Sequence, residues 1–179
     1  MLRAQLLAAA LAAAVITVTG TVPALANCQD PPAEGVTWDG CDVKGRSLPG
    51  ADLRNAFISG ADMSATDLTD ARFNGSVLQA TNLSGAKLAG SDIASADLTG
   101  ADLSGADLTG ATLADAILTG AKLDDADLSG ADLSGAILDD ASLEGATIDV
   151  AVFARASLDQ TIWTDGKVCA ASSFGSCEK

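Results

Sequence analysis

From Val36 to Asp165 the apolar residues recur every fifth position, without one insertion or deletion over 130 residues. The stretch divides into 26 pentads, and the third residue of each, here called the centre, is always apolar. The centres run Trp38, Val43, Leu48, Leu53, Ile58, Met63, Leu68, Phe73 and onward by fives to Trp163. Two residues before the centre, 18 of the 26 pentads place Ala. Two residues after it, 14 place Gly. The residue just before the centre is often Asp, as in Asp52, Asp97, Asp102, Asp107, Asp127 and Asp132. On an α-helix a step of five rotates the side chain by about 140°, so the centres would spiral around the helix and share no face. On a flat strand an odd step sends alternate centres to opposite faces. The pattern therefore predicts a chain that bends once per pentad, so that every centre points to one axis. Gly suits the bends, because some tight turns require a positive φ. The small residue two before the centre shares the inward direction by parity. Stacked coils then pair their backbones along the axis, as in other solenoids.

The size of one coil is legible as well. Six residues just before a centre are large and apolar: Phe57, Val77, Ile117, Ile137, Val152 and Ile162. Phe57, Val77, Ile117 and Ile137 are separated by multiples of 20, and the Phe centres, Phe73 and Phe153, stand 80 apart. A coil of four pentads puts each set in one column and predicts a four-sided prism.

Runs such as Ala96-Asp-Leu-Thr-Gly-Ala-Asp-Leu-Ser-Gly-Ala-Asp-Leu-Thr-Gly110 resemble the A-(D/N)-L-x-x signature of the pentapeptide repeat family. The resemblance covers 130 of the 153 residues from 27 to 179. It implies an all-β chain, a right-handed quadrilateral β-helix of about 6.5 coils, with centres and small residues filling a narrow interior. At a strand spacing of roughly 4.8 Å such a prism is about 30 Å long.

Composition and charge narrow the function. The chain has no His, so Ser-His and Cys-His nucleophile pairs and His-ligated metals are excluded. Rings make up 3% of the residues, which leaves no ordinary bulky core. The net charge of −14 argues against direct binding of nucleic acid, whose phosphates call for Lys and Arg. Residues 1–26 read as an export signal: Arg3, an apolar run from Leu6 to about Val18, then Ala24-Leu-Ala26. The run is too short for a permanent span, which needs about 20 residues. Cleavage after Ala26 removes Arg3 and no acid, leaving nine Lys and Arg against 24 Asp and Glu, or −15. Asn27, which is not small, precedes Cys28 and argues against a lipid anchor, and no twin-Arg pair is present. The predicted organisation is a signal peptide over 1–26, an N-terminal cap over 27–35, the β-helix over 36–165 and a disulfide cap over 166–179. The chain is expected outside the cytoplasm, where disulfides form.

The four cysteines, Cys28, Cys41, Cys169 and Cys177, allow three pairings. On a rod about 30 Å long no bond crosses from end to end, since bridged Cα atoms lie within about 7 Å. Cys28–Cys41 and Cys169–Cys177 follow, each pinning a cap near one of the two Trp residues.

The Asp residues invite a catalytic or calcium reading. They recur with the repeat, and a short Asp side chain bonds nearby backbone in turns. No carboxylate pair stands out for acid–base work, so neither catalytic residues, nor a metal site, nor a cofactor is expected. Phe57, Val77, Ile117 and Ile137, interrupted by Asp97, form an apolar column that reads as an interaction stripe or as β-branched residues suiting a sheet. Homo-association through that stripe is one expectation, and the identity of a protein partner stays open. The leading reading is a non-enzymatic exported scaffold. One alternative is an acidic mimic of duplex DNA, since some family members bind DNA gyrase and protect it from quinolones. The other is an envelope protein with weak divalent-ion binding.

Overall fold

The computed structural model describes residues 26–178, so the predicted signal peptide lies outside the described residues apart from Ala26. The backbone turns once per pentad. In each turn the N–H of the next pentad's first residue donates to the carbonyl of the centre, as Cys41 does to Trp38 at 3.0 Å and Ala106 to Leu103 at 3.0 Å. The third residue of the turn carries a positive φ, between 63° and 74° at the repeat glycines. That geometry is open to glycine at no steric cost.

Eleven other repeat corners adopt the same φ without glycine, from Asn55 to Gln160. Asn and Asp tolerate it best. Val150, at φ 53°, is β-branched and is the most strained of them. Corners also couple from coil to coil. A Cβ added at Gly75 would meet Asn55 Oδ1 at 2.9 Å, so the Asn55 side chain folds over a position that stays bare.

Between turns, each residue before a centre bridges in parallel to the residue 20 further on. Four columns result. Face 1 runs from Thr37 to Ser157, face 2 from Asp42 to Ile162, face 3 from Ser47 to Thr147 and face 4 from Asp52 to Val152, each in steps of 20. The ladder is regular: Leu103 N donates to Lys122 O at 2.7 Å, and Lys122 N donates to Ala101 O at 2.9 Å.

The interior is built from centres and small residues. Leu53 through Leu143 at the centres, and Ala96 through Ala141 two before them, are buried. Where Thr replaces Ala, its hydroxyl is satisfied inside: Thr66, Thr81 and Thr161 donate to the carbonyls of Val43, Ile58 and Leu138 at 3.2, 2.7 and 2.8 Å. Arg46 holds the one inward position with a charge. It sits in the first coil, where its guanidinium donates to Cys28 O at 3.3 Å from both nitrogens.

Each end of the prism carries a disulfide, Cys28–Cys41 at one and Cys169–Cys177 at the other, with Cα separations of 5.4 and 5.0 Å. Their surroundings differ. Trp38 is fully buried, while Trp163 is partly buried and packs at 5.3 Å against Phe153. Past Asp165 the chain turns back over the prism, pairing Val168 antiparallel with Ile162 and Phe174 antiparallel with Ser157. Among the described residues no helix is long and apolar enough to cross a membrane.

Candidate functional site

The structure brings Phe57, Val77, Ile117 and Ile137 into one column on face 1, with Asp97 in its middle. Position alternation in each short strand sends the centre inward and its predecessor outward. Phe57 is 50% exposed, Ile117 37% and Ile137 39%, so these are apolar side chains at the surface and not part of the core. Sequence spacing missed one member. Phe174, 63% exposed, joins the foot of the column through its bridge to Ser157. It lies outside the pentads and arrives there only because the C-terminal segment reverses. Val152 and Ile162 stand on faces 4 and 2, away from the column.

The corner that follows face 1 is acidic. It carries Asp39, Asp139, Asp140 and Asp159 at its ends, with Gln79, Thr99 and Thr119 between them. Neither this corner nor the face 1 column holds a Lys or Arg. The ion pairs of the described residues lie elsewhere, joining Arg54 to Glu34 and Asp52, Arg72 to Asp52 and Lys167 to Asp165.

The Asp before the centre has a structural role throughout the repeat. Its Oδ1 accepts the backbone N–H two residues on, as from Ser104 to Asp102 at 3.0 Å and from Ser129 to Asp127 at 2.9 Å. Where that residue is Thr the hydroxyl joins in, at 2.8 Å from Thr69 to Asp67. Hydrogen bonds from Thr69 outweigh desolvation and hold Asp67 below the usual carboxylate range. At Asp97 desolvation pushes upward, but donors from Thr99 and Gln79 prevail and leave it lowered. The Gln79 amide reaches it at 2.7 Å. These carboxylates are ionised and engaged by their own turns, an arrangement unsuited to general acid catalysis near neutral pH.

A shallow acidic depression near the C-terminal end is lined by Asp124, Asp125, Glu144, Gly145, Thr164 and Asp165. Among the described residues no three His, Cys, Asp or Glu side chains are gathered as a metal-ligand set.

The pentapeptide-repeat family model matches in eight copies over residues 39–75, 58–93, 66–105, 91–130 and 126–162. The chain belongs to the pentapeptide repeat family. Among solved structures it is similar to HetL, a pentapeptide repeat protein involved in heterocyst differentiation regulation from the cyanobacterium Nostoc sp. strain PCC 7120. The identity is 29%, over 76% of this chain and 67% of that one, with a TM-score of 0.48. A pentapeptide repeat protein of the Arabidopsis thaliana thylakoid lumen is 25% identical over 75% and 85% of the two chains, with a TM-score of 0.34. QnrB1, a plasmid-mediated fluoroquinolone resistance protein, is 18% identical over 75% of each chain, with a TM-score of 0.40. No curated protein matches the chain.

Proposed function

We propose that this pentapeptide repeat protein is an exported, non-enzymatic scaffold, a right-handed quadrilateral rod of about 6.5 coils that binds a protein partner along face 1. The observation that carries the reading is the exposed column of Phe57, Ile117 and Ile137 on face 1; Val150, Val152 and Val168 are exposed as well but stand off that face. Apolar side chains exposed in one column, here broken by Asp97, favour association over solvation. Export draws its support from the two disulfides, which persist in oxidising compartments, together with the N-terminal sequence. The same disulfides weigh against action on a cytosolic enzyme of DNA. On this reading residues 27–35 and 166–179 serve as caps.

The test is fractionation of the producing cells with intact-mass and N-terminal analysis of the recovered protein. A chain beginning at Asn27, recovered outside the cytoplasm with no free thiol, is the expected result. A reduced cytosolic chain retaining Met1 would overturn the reading.

A further inference from the structure

The apolar column is one residue wide and about 19 Å long, four steps of roughly 4.8 Å from Phe57 to Ile137. Its backbone is spent. Ile117 N donates to Ala96 O and Ile137 N to Ala116 O, both at 2.9 Å, while Ile117 O and Ile137 O accept from Leu98 and Leu118 at 2.7 Å. A partner therefore cannot add a strand here and must bind through side chains.

The step length selects the partner's form. Apolar side chains on one ridge of an α-helix repeat at about 5–6 Å, close to the column's spacing, and about 13 residues span 19 Å. A strand laid along the axis would offer one side chain every 6.6 Å or so and fall out of step.

Charge selects its chemistry. Asp97 interrupts the column, and Asp139, Asp140 and Asp159 stand on the adjoining corner, with no Lys or Arg in either column to balance them. Asp139 accepts from Ser157 Oγ at 2.6 Å and from Asp159 N at 3.1 Å, bonds to neutral groups that leave its charge uncompensated. A second copy offering the same face in antiparallel register would set Asp97 against Asp97, and an anionic lipid surface would meet the acidic corner.

We propose that face 1 receives a basic amphipathic helix of a protein partner. Its apolar ridge lies on Phe57, Val77, Ile117 and Ile137, and its Lys or Arg residues lie toward Asp97, Asp139 and Asp140. This rests on the interaction-scaffold reading and names the partner class.

The probe is a fluorescein-labelled peptide of leucine and lysine, about four helical turns long, whose binding to the oxidised protein is read by anisotropy. Ile117→Ser with Ile137→Ser is expected to weaken binding about tenfold or more, because two aliphatic contacts are lost. Asp139→Asn with Asp140→Asn is expected to weaken it about three- to tenfold, as for two exposed ion pairs. Asp107→Asn with Asp127→Asn, an equal change of charge on face 3, is expected to leave it within about twofold. The proposal fails if the isoleucine pair has no effect, or if the face 3 pair weakens binding as much as the corner pair. It also fails if sedimentation shows an oligomer that the isoleucine pair dissolves, or if vesicles of anionic lipid bind the protein through those isoleucines. None of these outcomes bears on where the protein resides or how its N-terminus is processed, so export is tested separately.

Discussion

Leu103 lies mid-prism and is fully buried. Its column neighbours one coil away, Leu83 and Leu123, are buried as well. Leu103→Ala would remove most of that side chain and leave a cavity. In many folds part of the loss is recovered when neighbours move in, and Leu→Ala costs range over about 2–5 kcal/mol accordingly. Here the coil is fixed on both sides, by Leu83 N donating to Asp102 O and by Leu103 N donating to Lys122 O, each at 2.7 Å. Closing the gap would stretch those ladders. The cost should therefore fall in the upper part of the range, about 4–5 kcal/mol. For a chain of this size that lowers Tm by about 8–20 °C. Denaturant unfolding followed by far-ultraviolet circular dichroism, with Trp fluorescence as a second probe, measures it. Asp102→Asn is the internal control, since an amide oxygen still accepts the Ser104 N–H and the change should be close to silent. Leu103→Asp would bury an unpaired charge and should abolish folding. A Leu103→Ala cost under about 1 kcal/mol, no larger than a surface change, would refute the rigid inward-centre reasoning.

Val150→Gly should stabilise the protein by about 0.5–1 kcal/mol, because relief of the left-handed strain exceeds the added freedom of the unfolded chain. The side chain is 86% exposed, so little packing is lost, and a lowered denaturation midpoint would contradict this. Replacing Cys28 and Cys41 with Ser should cost about 2–3 kcal/mol, from the 13-residue separation that the bond closes. A red shift of Trp38 emission should accompany it, and unchanged unfolding would argue against the cap. Acid should destabilise the rod. Asp52 is held at about 2, chiefly by the Arg54 side chain donating to it against desolvation, and Asp62, Asp127 and Asp132 are also lowered. A carboxylate with a depressed folded value stabilises above its unfolded value near 4, and that stability is lost as pH falls toward 2. Tm measured from pH 7 downward should stay level to about pH 5 and then decline, and a rise below pH 4 would contradict the assignment.

The repeat made the inward centres, the 20-residue step and the disulfide pairs legible, because each follows from a period that the chain keeps without a break. What escaped lies where the period stops or where the ladder overrides local preference. Gly marks 14 corners, but Val150, Arg155 and Gln160 take the same positive φ inside turns closed by Ala151 N, Ala156 N and Thr161 N donating to the carbonyls of Ile148, Phe153 and Leu158. The partnership of Asn55 with Gly75 was readable in principle, since Asp70 with Gly90 and Asp125 with Gly145 repeat the same step of 20. Phe174 was not, because its place in the column depends on a reversal that no pentad announces. Trp38 and Trp163 look symmetric in sequence, yet Trp163 is only partly buried and leans on Phe153. As for the candidate site, Phe57, Val77, Ile117 and Ile137 could be named from spacing alone, whereas their exposure required knowing which way each strand faced.

If face 1 is the contact surface of this rod, it should be the face that a partner touches in the cell. A photo-cross-linking residue at position 137 on face 1, compared with one at position 127 on face 3, tests it in the producing cell. Position 137 should give a discrete adduct of fixed mass in the extracytoplasmic fraction, and position 127 none. Equal adducts from both positions, or none from 137, would contradict it.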